Sequence, residues 1–105
     1  MFKNFSIKKG DEFAFAVTFK NLTQEPSEIW FGVKQDLNQE NYDLLLSLHD
    51  GIEKISGYQY SVRISPERCN ELVNENYTYD LRFKIDNTIK TPLSGKMVVS
   101  ETVFN

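Results

Sequence analysis

From Phe13 to Lys20 the chain alternates. Phe13, Phe15, Val17 and Phe19 are apolar, while Ala14, Ala16, Thr18 and Lys20 between them are small or polar. A period of two sends successive side chains to opposite faces of an extended strand, so this stretch predicts a strand with one face in a core. Ile29, Phe31 and Val33 repeat the pattern, with Trp30 on the opposite, partly exposed face. Leu44, Leu46 and Leu48 keep the same period, but Leu45 interrupts it, so that segment reads either as a strand or as a short helix. Ile52 to Ile55 predicts a short strand, and Tyr58, Tyr60, Val62 and Ile64 a regular one. Tyr77, Tyr79, Leu81, Phe83 and Ile85 make the longest alternation in the chain. A last segment opens at Gly95, with Met97, Val99 and Val103 on one face and Val98 and Thr102 on the other.

Turn formers separate these runs: Gly10-Asp11, the polar stretch 21–27 with Pro26, Asp50-Gly51, Ser56-Gly57 and Asp86-Asn87-Thr88. Such residues favour the tight or left-handed backbone that turns need. Only Ser65-Pro66-Glu67 signals a helix start: Ser caps free amides, Pro suits the first helical position, and Glu complements the helix dipole. Cys69, Leu72 and Val73 follow at helical spacing, which predicts one or two turns near residues 66–73, closed by Asn74-Glu75-Asn76. Strands with turn signals every ten residues or so define an all-β sandwich or small barrel.

Composition narrows the function more than the fold. The 105 residues form a single domain, residues 1–105, since a second core would not fit. Eight Phe, five Tyr and one Trp suit the half-buried surface of a pleated sheet. The net charge is -3 with both signs interspersed, which argues against nucleic acid as a partner, since that needs a clustered basic face. No stretch approaches the roughly 20 apolar residues that span a bilayer, and the N-terminus lacks the apolar run of a signal peptide. With one cysteine, Cys69, the chain makes no internal disulfide, which fits synthesis in a reducing cytoplasm. Three glycosylation sequons begin at Asn4, Asn21 and Asn76, and without a secretory signal they read as chance matches.

Few residues offer chemistry. His49 is the only histidine and Cys69 the only thiol, and neither stands in a nucleophile–base signature. Cys69 reads as a small core hydrophobe. Zinc needs about four His, Cys or carboxylate ligands, and one His and one Cys fall short. Asp36, Asn38, Glu40 and Asp43 begin like a calcium loop, but Asn41 stands where such a loop has Gly, and Ser47 where it has Glu. The stretch therefore reads as a solvated loop. No catalytic residue, metal or cofactor is assigned. Trp30, Tyr42, Tyr58 and Tyr60 are candidate stacking aromatics, which makes carbohydrate the alternative ligand, and Trp30 and Tyr42 are the ones placed to meet a partner. Leu72-Val73-Asn74-Glu75-Asn76-Tyr77 has the look of a tyrosine corner, in which the hydroxyl of a tyrosine opening a strand ties down the preceding loop. Tyr79 then occupies the position of an antibody domain's second cysteine.

Taken in order, these pieces resemble small β domains of phage tail and baseplate proteins, above all the N-terminal domain of baseplate upper proteins. Ile7-Lys8-Lys9-Gly10-Asp11 leading into Phe13–Val17 is similar to that group's opening turn and strand. Ile29–Lys34, Tyr58–Pro66, the block Leu72 to Leu81 and the closing segment Thr91 to Val103 resemble its later elements, so the likeness covers nearly the whole chain. Its motifs are short. Lys9 stands where Arg is common, and Asn76 where the family often has Gly. Family members often continue into further domains, whereas this sequence holds one, as a free-standing virion subunit or prophage relic would.

The resemblance implies an immunoglobulin-like β-sandwich of about 7–8 antiparallel strands with the one short helix. It also implies a non-catalytic assembly protein of a phage or prophage particle. Copies of itself and other phage tail proteins are then the expected partners, and the virion the destination after cytoplasmic synthesis. A stand-alone carbohydrate-binding module is the alternative.

Overall fold

The computed structural model of the chain describes residues 1–100. Eight strands lie among them. Five form one run in the order β1 (Phe5–Lys8), β8 (Thr88–Ser100), β7 (Asn76–Ile85), β3 (Glu28–Lys34), β4 (Leu44–Leu48). Three form another, in the order β5 (Gly51–Ser56), β6 (Gln59–Ile64), β2 (Phe13–Thr18). Among the described residues the runs are hydrogen-bonded to one another only where β4 turns into β5, through the pairs Ser47↔Gly51 and Leu48↔Ile52. There the chain kinks, with His49 and Gly51 at φ of 72° and 96°. The two runs face each other across an aromatic layer. Phe15 of β2 lies 5.8 Å from Phe31 of β3, and Phe19, just past β2, lies 4.7 Å from Phe83 of β7. The result is a sandwich, all-β apart from one turn of helix.

The alternation read along the chain is the burial pattern. Ile29, Phe31 and Val33 are buried, as are Phe83, Leu81 and Tyr79 opposite them on the neighbouring strand and Tyr77 at its start. Burying each such side chain is worth about 1.5–3 kcal/mol. Residues 44–48 form the strand rather than the helix, with Leu44 and Leu46 inward and Leu45 outward. The last strand begins well before Gly95, at Thr88, because Asp86 takes the left-handed backbone that closes a tight hairpin from β7. Val103 and Thr102, expected on opposite faces of the last segment, lie outside the described residues.

Several expectations need correction. The strands are not all antiparallel: β1 runs parallel to β8, pairing Phe5↔Met97 through Lys8↔Ser100. The chain then crosses to the other sheet at Lys9-Gly10-Asp11, where Gly10 has φ of 91° and the Asp11 N–H donates to the Lys8 carbonyl. The helix, α1, spans only Pro66–Cys69. The Ser65 hydroxyl accepts the Arg68 N–H at 3.3 Å as its cap. Glu71 and Leu72 then bond three residues back, not four, so helical spacing fails beyond Cys69 and Val73 points outward, 73% exposed. Finally, Phe13, Phe15 and Val17 face the core but are only half-buried. Their strand β2 ends its sheet, and β1, its neighbour in sequence, ends the other, so that side of the sandwich is open.

Candidate functional site

The outer face of the larger sheet carries the two aromatics picked from sequence for contact with a partner. On β3, Trp30, Gly32 and Lys34 point away from the core because Ile29, Phe31 and Val33 point in. Residues opposite one another in a sheet share a face, so Leu45 joins Gly32 and Ser47 joins Trp30 from β4, while Thr78, Asp80 and Arg82 join from β7. The Tyr42 ring occupies the space a Gly32 side chain would need, since a Cβ there would strike its Cε1. Lys34 Nζ sits 4.8 Å from the centre of the Tyr42 ring and donates to the Gln39 carbonyl at 3.0 Å. Tyr42, Leu37 and Leu45 remain 45%, 70% and 40% exposed. Ion pairs Arg82–Asp80 at 3.5 Å and Lys84–Glu28 at 3.7 Å flank the patch. The depression beside Tyr42 holds only about 150 Å³, less than the roughly 300–1,000 Å³ of a small-molecule pocket. This is a contact surface, not a cleft.

The acidic loop 35–43 supports that patch. Asp43 Oδ2 accepts the Gln35 N–H at 2.7 Å and Gln39 Nε2 at 3.0 Å, and Asp36 Oδ1 accepts the Asn38 N–H at 2.9 Å. These carboxylates are spent on the loop's own backbone and side chains. Among the described residues, no three His, Cys, Asp or Glu side chains converge as a metal site would require.

The other candidates are dispersed. His49 is on the exposed β4–β5 kink, its Nδ1 3.4 Å from Glu53 Oε2. Cys69 is fully buried, with its Sγ 3.8 Å from the Lys8 carbonyl. Tyr60 belongs to the core, where burial raises its phenol pKa, and Tyr58 is half-buried in the turn between β5 and β6. The four aromatics proposed for stacking therefore divide between the larger sheet's outer face, with Trp30 and Tyr42, and the smaller sheet and its turn, with Tyr60 and Tyr58. Tyr77 is buried and its hydroxyl accepts the Asn74 N–H at 2.9 Å, closing a contact three residues upstream.

Tyr79 holds a role the sequence reading did not assign. Its hydroxyl donates to the Lys3 carbonyl at 2.5 Å, and burial pushes its pKa up to about 12. Gly95 lies opposite Tyr79, and any side chain there would collide with that same carbonyl. Leu37 and Leu45 were missed as surface residues as well. The signal for Leu45 was present, as the apolar residue that broke the alternation of its strand.

A parallel first strand beside the last, a three-stranded sheet packed on a five-stranded one, and an aromatic core between them define an immunoglobulin-like β-sandwich. No protein-family model matches the chain, and no curated protein does. Among solved structures it is similar to the extracellular domain of the voltage-gated sodium channel beta4 subunit, described as parallel homodimers that explain its role in cell–cell adhesion. The TM-score is 0.53 at 10% identity, over 97% of this chain and 93% of that one. At that identity the likeness is one of fold. No helix among the described residues is long and apolar enough to cross a membrane.

Proposed function

We propose that this chain is a non-catalytic assembly module that joins copies of itself and neighbouring proteins. The observation that carries the reading is the apolar patch of exposed Leu37, Tyr42 and Leu45 with half-buried Trp30, on an otherwise ion-paired sheet face, held in place by a bonded loop. Contiguous exposed apolar groups rimmed by polar ones mark protein contact surfaces. Self-association is supported further by the similar beta4 domain, itself a homodimer. The resemblance of Ile7–Val17 and of the Leu72–Leu81 block to baseplate upper proteins supports a phage or prophage particle as the setting, with tail proteins as the neighbours.

The test is solution mass by light scattering over a concentration series, for the native chain and for Leu45→Asp. A mass above that of the 12.2 kDa chain, reduced by Leu45→Asp without loss of melting temperature, is the expected result. A native chain that stays monomeric at every concentration contradicts self-association.

A further inference from the structure

We infer that strand β2 is a self-pairing edge, joining two copies of this chain in antiparallel, two-fold fashion about Ala16. The inference rests on the assembly reading and names one surface that performs it.

Among the described residues β2 pairs only with β6, and no strand lies along its other side. The Phe19 N–H donates to the Tyr58 carbonyl at 3.0 Å, in line with the register Phe13↔Ile64, Phe15↔Val62 and Val17↔Tyr60. In an antiparallel ladder the residues that bond one neighbour alternate with those that face away. Ala14, Ala16 and Thr18 therefore aim their N–H and C=O groups at the open side. Sheet edges of this kind are normally blunted by Lys, Pro, a bulge or a covering loop, because they template pairing with another chain. Phe-Ala-Phe-Ala-Val-Thr has no charge, no Pro and no Gly, and its outward side chains are small. The edge is left open to a partner strand.

Charge selects the partner and the register. Glu12 precedes β2 and Lys20 follows it, both exposed and both in phase with Ala14, Ala16 and Thr18. Two copies paired antiparallel with Ala16 opposite Ala16 bring Ala14 opposite Thr18 and Glu12 opposite Lys20, twice over by symmetry. Opposite charges directly across a ladder stabilise it. Glu12 already accepts Arg63 at 2.6 Å, which holds its carboxyl below the usual carboxylate range and keeps it charged for the second cation. Among the described residues Lys20 has no ion-pair partner.

The same register accounts for the half-buried face of β2. An open groove of about 740 Å³ runs beside the strand, lined by Phe5, Phe15, Phe19, Phe83 and Leu93. Side chains of a paired β2 stand on the same face as those of the first, so Phe13 and Phe15 of the second copy come opposite Phe19 and Val17 and cover the groove. Both copies then bury aromatics that one alone leaves wet.

The experiment uses the full chain by sedimentation velocity with Ala16→Asp, Ala16→Lys, their equimolar mixture, and Leu45→Asp, with thermal melts to show that each variant folds. Each Ala16 variant alone sets like charges opposite one another and is expected to raise the dimer dissociation constant by about tenfold or more. The mixture sets Asp against Lys and is expected to restore a one-to-one dimer. Native-like association of either Ala16 variant, or a mixture no better than its parts, overturns the edge while leaving assembly through the Leu45 face standing. A native chain that is monomeric throughout overturns both.

Discussion

At the scale of single residues, the clearest stabilising device is Tyr77. Its ring is in the core and its hydroxyl satisfies the Asn74 N–H of the chain entering β7. Tyr77→Phe keeps the ring and deletes the acceptor, so the expected loss is about 1 kcal/mol, the net value of one hydrogen bond. Denaturant unfolding with an unchanged slope would measure it, and an unchanged midpoint would show the hydroxyl to be idle. This residue was legible in sequence because its signal is local: a loop of polar residues, then Tyr two positions before the site of a familiar cysteine. Tyr79 was legible only as an inward aromatic, since its partner, the Lys3 carbonyl, lies 76 residues away in the chain. Leu45 interrupts the alternation and so left a short helix as the alternative; it is an outward apolar residue between two inward ones.

At the scale of elements, the strands with an unbroken alternation of three or more apolar residues were legible: β2, β3, β6 and β7. Their side chains alternate because one face is dry. β1 was not assigned, because Phe5 and Ile7 are too few to establish a period, and its parallel pairing depends on β8 at the far end of the chain. α1 was over-extended for the converse reason: Leu72 is buried by tertiary packing, which mimics helical spacing past the last helical residue. The attachment of the N-terminal segment to β8 gives a prediction at this scale. The Lys3 N–H donates to the Ser94 carbonyl at 2.8 Å, and Tyr79 holds the carbonyl of the same residue. Burial pushes the Tyr79 phenol in the folded chain up to about 12, from an ordinary value of 10. The folded chain therefore holds the proton more tightly, and this contribution is complete below pH 10 and is lost as pH rises from 10 to 12. Melts across that range should show the native chain losing more stability than Tyr79→Phe, which has no phenol to ionise. Parallel pH profiles for the two would show that Tyr79 is not the group responsible.

At the scale of the whole molecule, the sandwich was legible and its open side was not. Sequence alternation reports which face of a strand is apolar, but not whether another strand lies beside it. Phe13, Phe15 and Val17 therefore read as core, although their strand ends a sheet and leaves them half-buried. The patch of Trp30 and Tyr42 was half legible: both aromatics were singled out, but Leu37, Leu45 and the bare Gly32 that seats the Tyr42 ring needed the fold to bring them together. What unites the two surfaces is apolar area that one chain cannot cover alone. The proposed assembly would cover both.

Amide hydrogen exchange, followed residue by residue at dilute and at high protein concentration, tests that answer most directly. The Ala14, Ala16 and Thr18 amides point into solvent in a single chain and should exchange fast when dilute. Pairing through the β2 edge predicts that these three slow markedly as concentration rises, while Phe15 and Val17, already bonded to β6, change little. Equal and fast exchange of the three amides at every concentration would contradict self-assembly through this edge.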